Sequence, residues 1–342
     1  MHKQSILFVY VNYSTFVKAD FEILSTFANV TKYQFKPGRG IIRTGFKLIK
    51  QFLFLILNIW KYDAVFIWFA DFHSLLPTLM AKILGKRSFV VVGGYEVERN
   101  KNLHYGVLFS KIRGFFCVCS IKICSLNLTV SKYLDRKVKY IATKSKRHLV
   151  SNCVDFKHIP NNPDERENLV ITIGIIENEL TYFRKGIDTF IEVARRLPDF
   201  QFIIIGLDKT KLTHLLTDLP GNLLIFGIIS HDELPGYYRR SKFYFQLSRA
   251  ESFGVVIAEA MLYGCIPVVT NEGGMPELIG NTGYIVKRNS DIISQLVRKN
   301  SLILPESQLN VSNRIKTCFS WEKRKEIIAE LVSNTKVYKL SD

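Results

Sequence analysis

Short runs of consecutive apolar residues recur along the whole chain, and stretches with helical spacing separate them. They are Ile6 to Val11, Ala64 to Trp68, Ser88 to Val92, Leu169 to Gly174, Phe202 to Gly206, Leu223 to Phe226, Phe243 to Leu247 and Pro267 to Thr270. A strand that is apolar at nearly every position is buried on both faces, which happens in parallel sheets covered by helices on both sides. Between two of these runs Ile187, Phe190, Ile191, Ala194 and Leu197 recur in the pattern of a helix that packs one stripe on a sheet. The alternation predicts an α/β, doubly wound chain. Its 342 residues suffice for two domains of about 150 residues each, with the polar, turn-rich segment Pro160–Asn168 as the linker.

Charge is spread unevenly over that plan. The formal net charge is +17, and residues 1 to 150 hold 24 Lys and Arg against 7 Asp and Glu, whereas residues 151 to 342 hold 23 against 23. The first half is therefore expected to face something anionic: nucleic acid, an acidic glycan or a membrane surface. With 47% apolar and 23% charged residues, disorder, collagen and coiled coil are excluded. The cysteines show neither paired CxxC spacings nor nearby histidines, so neither a zinc site nor a disulfide framework is expected. Residues 1 to 11 read as a buried first strand, not a signal peptide. The longest apolar stretch, Gln51 to Trp60, is half the roughly 20 residues a spanning helix needs.

One segment carries chemistry, the stretch Ser248 to Thr270, SRAESFGVVIAEAMLYGCIPVVT. A strand ends near Leu247, a short loop follows, and a helix is expected to start around Ser252 to Gly254 and stop at Gly264. Its N-terminus opens at the carboxyl edge of a parallel sheet, where free N–H groups and the helix dipole favour a phosphate. Glu251 and Glu259 bracket the turn with seven residues between them. Carboxylates accept from the paired hydroxyls of a ribose or hexose, and Gly254 lets a ligand come close to the backbone. Taken alone, such a pair reads far more readily as two solvated glutamates.

The segment resembles the signature of the family 4 glycosyltransferases, Glu-x7-Glu in the form Glu-x-Phe-Gly-x-x-x-x-Glu-Ala-Met, and Gly273-Gly274-Met275-Pro276-Glu277-Leu278-Ile279 and Thr282-Gly283-Tyr284-Ile285-Val286 continue it. Upstream, Leu169 to Gly174 is similar to the family's first donor-domain strand, Arg184-Lys185-Gly186-Ile187-Asp188 to its basic turn, and Phe226-Gly227-Ile228-Ile229 to the segment bordering the nucleotide base. Leu128 to Ser131 and Ser151 to Asp155 match the end of its acceptor domain more weakly, and Phe319-Ser320-Trp321-Glu322 opens a helix like its last one.

The resemblance implies a GT-B architecture of two Rossmann-like domains facing a central cleft. It gives an acceptor-side domain over residues 1–160, a donor domain over 161–317 and a final helix, about 318–342, crossing back to the first domain. It implies a retaining, metal-independent hexosyltransferase that moves a sugar from a nucleotide-diphosphate donor to a glycan or lipid-linked acceptor in cell-surface polysaccharide or glycolipid assembly. No cofactor is implied besides that donor substrate.

The same resemblance distributes the roles. Arg184 and Lys185 stabilise the leaving diphosphate. Glu251, with backbone N–H groups near Ser252, Phe253 and Gly254, serves the donor sugar and the reacting centre. Glu259 takes the ribose hydroxyls, and Gly227 and Ile228 border the base. Three departures stand out. Ile175 follows Gly174 where the family commonly has Arg, a place Arg184 is suited to fill. The loop Val11 to Thr15 lacks the family's glycines. Gly93 stands where many members carry His, which leaves Glu96 as the polar contact there. His73 has two readings, a cleft-side functional histidine or an ordinary strand-end one.

Arg39, Arg43, Lys47, Lys50 and Lys61 interleave with Ile41, Ile42, Phe46, Leu48, Phe52, Leu53, Phe54 and Trp60. On a helix this gives an apolar body with a cationic fringe, suited to lying on anionic lipid, and it also suits a core helix with a solvated basic face. A second cluster, Lys132 to Arg147, adds Arg136, Lys137, Lys139, Lys144 and Lys146. The expectation is a cytoplasmic protein held peripherally at the cytoplasmic membrane face. A nucleic-acid binder is disfavoured, since no RNP, helix-turn-helix or zinc pattern is present. An epimerase or phosphorylase of the same fold is the nearer rival.

Overall fold

The computed structural model describes residues 3–38, 40–154 and 166–333. Arg39, Asp155 and most of the segment Pro160–Asn168 lie outside the described residues. The chain forms two compact units, one holding the residues up to Cys153 together with those from Trp321 on, the other Val154–Ser320.

The first unit is built on a six-stranded sheet of β1 (Ser5–Tyr10), β2 (Asn29–Gln34), β3 (Ala64–Trp68), β4 (Arg87–Val92), β5 (Leu126–Thr129) and β6 (Arg147–Leu149), in the order β2-β1-β3-β4-β5-β6. Every neighbouring pair is parallel. The strands read as apolar runs are the central ones, and β3 is buried at every position. The edge strand β2 (NVTKYQ) is largely exposed and β6 (RHL) is nowhere fully buried, so one face of burial is missing and no apolar run marks them. Between β1 and β3 the sheet reverses its direction of growth, the kind of place where open α/β sheets leave a crevice at their carboxyl edge.

The second unit repeats the plan with β7 (Glu167–Ile176), β8 (Gln201–Leu207), β9 (Leu223–Phe226), β10 (Ser241–Gln246), β11 (Ile266–Thr270) and β12 (Tyr284–Val286), in the order β12-β11-β10-β7-β8-β9 and again all parallel. This is the dinucleotide-binding order, with its reversal between β7 and β10. The stripe Ile187, Phe190, Ile191 and Ala194 lies on the helix Ile187–Arg196 and is buried, as its spacing requires.

The last described helix, Trp321–Ser333, belongs to the first unit. A buried fork holds it there: Arg324 Nε and Nη2 reach Asp20 Oδ1 and Oδ2 at 2.5 and 2.7 Å, and Arg324 Nη1 donates to the carbonyls of Val150 and Ser151 at 2.7 and 2.6 Å. Trp68 Nε1 donates to the same Asp20 carboxylate at 3.0 Å, so both charges are matched and hydrogen-bonded, as burial demands.

Candidate functional site

At the reversal point of the second sheet, the loops leaving β7 and β10 bring together residues far apart in sequence. After β7 the short helix Glu179–Lys185 ends on Gly186, whose φ is +73°. A Cβ there would overlap the Leu247 carbonyl oxygen, so only glycine lets this turn press on the end of β10. The contact is reinforced by Arg249 N–H donating to the Arg184 carbonyl at 2.7 Å and by the Arg249 fork on Asp188 at 2.8 and 2.5 Å.

This packing sets Lys185 Nζ 2.7 Å from Glu251 Oε2, with the two side chains 15% and 16% exposed. Burial works to raise the Glu251 carboxyl, and the charges of Lys185 and Arg184 overcome it, so the group is held below its ordinary range. Ser252 N–H donates to the other oxygen, Oε1, at 3.2 Å, and Arg184 Nη1 lies 3.4 Å from the Ala250 carbonyl. From the far side Gly273, with φ +62°, runs so close under Glu251 that a Cβ would collide with its carbonyl oxygen, and Gly274 N–H donates to that oxygen at 3.2 Å. Beneath the loop a buried chain of hydrogen bonds runs from Tyr244 OH to Gln246 Oε1 (2.9 Å), from Gln246 Nε2 to Ser248 Oγ (2.7 Å), and from Thr270 Oγ1 to the Ser248 carbonyl (2.5 Å). The loop is thus fixed from three sides before any ligand arrives.

The helix after it spans Val255–Leu262 and starts on Gly254, φ +95°. Glu259 sits on it and is met by His231 Nε2 at 3.2 Å and by the buried Tyr238 OH at 3.2 Å. The hydrogen bond to Glu259 lifts the His231 imidazole above its ordinary value. Gly227 and Ile228 follow β9, the Gly227 carbonyl accepting from Gly206 N–H at 3.1 Å and the Ile228 side chain standing exposed.

The first unit has its own cavity, about 290 Å³, at the carboxyl ends of β1, β3 and β4, with Phe35, Phe69, Phe72, Tyr95, Glu96 and Arg113 among its walls. Glu96 is buried, and its two oxygens accept the N–H groups of Gly93 and Gly94 at 2.6 and 2.8 Å. Burial outweighs those bonds and pushes the carboxyl up to about 7. Phe69 holds a left-handed backbone, φ +68°, and a Cβ on Gly93 would run into its ring. Gly93 is therefore fixed by its neighbour, which explains why no histidine stands there. At the rim Asp71 caps the helix Phe72–Ile83 and pairs with Arg113.

Residues 154–337 match the family described as glycosyl transferases group 1. The chain belongs to the group 1 glycosyl transferases. One component of the phosphatidylinositol N-acetylglucosaminyltransferase of Arabidopsis thaliana is 28% identical over 203 residues, 54% of this chain and 44% of that protein. A 41.2 kDa protein in the cps region of Klebsiella pneumoniae is 31% identical over 216 residues, 62% of this chain and 53% of that one. The aligned stretch thus spans about half the length of these relatives. Among solved structures, Anabaena HepE in complex with UDP and glucose superposes with a TM-score of 0.70 at 14% identity, covering 96% of this chain and 99% of that one, a likeness of fold.

In this group 1 glycosyl transferase, Lys185, Arg184, Glu251 and Ser252 stand together around one loop, and Glu259 stands on the helix that the same loop opens. Phe253 is different, for its side chain turns inward onto Phe319 at 5.4 Å between ring centres, which leaves only its backbone for a ligand. His73 is buried, its Nε2 lies 2.9 Å from the Trp68 carbonyl and its ring faces Phe35. Burial lowers its basicity, so a neutral ring donates that bond, and the residue, in the first turn of the helix Phe72–Ile83, also lines the first unit's cavity. His231 and Tyr238 are residues that sequence reasoning missed. Each lies more than 20 positions from Glu259, and nothing in the local pattern links them.

Proposed function

We propose that the chain transfers a sugar from a nucleotide-diphosphate donor, with retained configuration, to a glycan or lipid-linked acceptor at the cytoplasmic face of a membrane. The observation that carries it is the Lys185–Glu251 pair at the reversal point of the second sheet, beside Arg184 and the start of the helix Val255–Leu262. An arriving diphosphate competes with Glu251 for Lys185, and Arg184 and the backbone N–H groups of the loop add to the field on the charge that develops as the sugar C1–O bond breaks. These groups supply that stabilisation without calling on a metal ion. Glu251, released toward the sugar, accepts from its hydroxyls and holds the reacting carbon in place. Glu259, braced by Tyr238 and His231, takes the ribose hydroxyls, and Gly227 and Ile228 border the base.

The cavity of the first unit is read as the acceptor side, with Glu96 as the carboxyl that meets the incoming hydroxyl. Its value near 7 suits a group that takes a proton at neutral pH. The Arabidopsis relative, named for phosphatidylinositol, supports a lipid acceptor, and HepE in complex with UDP and glucose supports a donor built on UDP. A screen of nucleotide sugars for binding and slow hydrolysis tests the donor assignment, with Lys185→Ala and Glu259→Ala beside the wild type. One nucleotide sugar is expected to bind and both variants to lose it. No binding partner, or variants that hydrolyse as the wild type does, would defeat the assignment.

A further inference from the structure

The helix Ile41–Asn58 with the short turn Ile59–Lys61 lies on the first unit the wrong way round for a core helix. Its buried face presents Thr44, Gln51, Leu55 and Ile59, and Gln51 Nε2 donates inward to the His73 carbonyl at 2.9 Å. Its outer face presents Ile42, Phe46, Ile49, Leu53, Leu57 and Trp60, spaced three or four residues apart and so stacked along one stripe. Ile42 is 78% exposed, Phe46 64% and Trp60 63%. The helix Phe72–Ile83 packs against it and adds Leu79 and Ile83 to the exposed apolar area. Soluble surfaces rarely carry so continuous an apolar area unless something covers it.

Charge names the occupant. Neither helix holds an acidic residue, whereas Arg43, Lys47, Lys50 and Lys61 run along one edge of the stripe and Lys82 lies on the second helix, all of them exposed. Arg39, also in this cluster, lies outside the described residues. An apolar stripe with a cationic edge and a tryptophan–lysine pair at its end matches the layered chemistry of an anionic bilayer: hydrocarbon below, headgroup phosphates beside it. Among the described residues no helix is long and apolar enough to cross a membrane.

We infer that the outward stripe of Ile41–Lys61 inserts into the surface of an anionic lipid bilayer and that insertion, more than charge attraction, holds the protein there. This deepens the reading of a membrane-borne acceptor and rests on it only for its purpose, because the surface itself is independent of the donor site.

Co-sedimentation of the full chain with phosphatidylglycerol–phosphatidylcholine vesicles tests it, with pure phosphatidylcholine vesicles as reference and with rising salt. The wild type is expected to bind the anionic vesicles, to keep part of that binding at high salt, and to show a blue shift of tryptophan emission that Trp60→Phe removes. Phe46→Asp and Leu53→Asp, both at exposed positions, are expected to weaken binding at least tenfold while leaving nucleotide-sugar hydrolysis in solution unchanged. Three results overturn the inference: no vesicle binding, variants that bind like the wild type, or a solution dimer that Phe46→Asp splits without any vesicle binding, which would give the face to a second copy. Failure of the donor reading shows separately, as vesicle binding without nucleotide-sugar hydrolysis.

Discussion

At the scale of single residues, the candidate site is built on a cation and a carboxylate that answer each other. Lys185 is the partner that holds Glu251 charged in a half-closed place, so Lys185→Ala removes the neutralising charge and, on the proposed function, the phosphate contact as well. Transfer with saturating donor is expected to fall about 100-fold or more, measured as initial rate. A fall of only a few-fold would mean that the diphosphate lies elsewhere. Glu96 gives a prediction in pH. Its value is raised from the ordinary 4.5 to about 7, so the folded state holds the proton more tightly than the unfolded chain. The stability this lends is full below about pH 4.5 and is lost as pH rises through about 7, a slope worth about 3 kcal/mol in all. Denaturant unfolding across that interval is expected to show the slope in the wild type and not in Glu96→Gln. If Glu96 meets the acceptor hydroxyl, the transfer rate rises with pH through the same point.

At the scale of elements, the strand-to-helix turns do most of the positioning, and they rely on glycine where backbone meets backbone. Gly186→Ala sets a Cβ against the Leu247 carbonyl in a left-handed turn. It is expected to cost about 2 kcal/mol or more in stability and to separate Lys185 from Glu251, so that activity falls further than stability accounts for. Thermal unfolding together with rate measurements checks both parts. These turns also show what sequence can and cannot tell. The central strands β1, β3, β4, β7, β8, β10 and β11 are legible because burial on two faces leaves an unbroken apolar run; the edge strand β9 (LLIF) is legible from its composition too, the buried central strand β5 (LNLT) is interrupted by Asn127 and Thr129, and the edge strands β2, β6 and β12 lack that signature. The helix after Gly254 is legible from its caps. The braces Gly273 under Glu251, Tyr238 beside Glu259 and Phe69 against Gly93 are not, because each joins positions whose nearness only the folded sheet creates.

At the scale of the molecule, the surplus of positive charge and the proposed donor site fall in different units. The second unit balances its charges and gathers a few of them at one loop, and the first carries the excess and the outward apolar stripe. The chain returns at its end to the first unit and is fastened there by Arg324 on Asp20. Arg324→Ala leaves Asp20 buried without its cation and is expected to destabilise the first unit by about 3–5 kcal/mol, read from its urea midpoint, whereas nucleotide binding by the second unit is expected to survive under native conditions.

The central claim is that a nucleoside diphosphate seats on the loops leaving β7 and β10, and calorimetric titration of UDP and GDP into the wild type, Lys185→Ala and Glu259→Ala tests it most directly. Binding of one of them by the wild type, weakened about tenfold or more in each variant, is the predicted result. Binding by neither, or affinity unchanged in both variants, contradicts it.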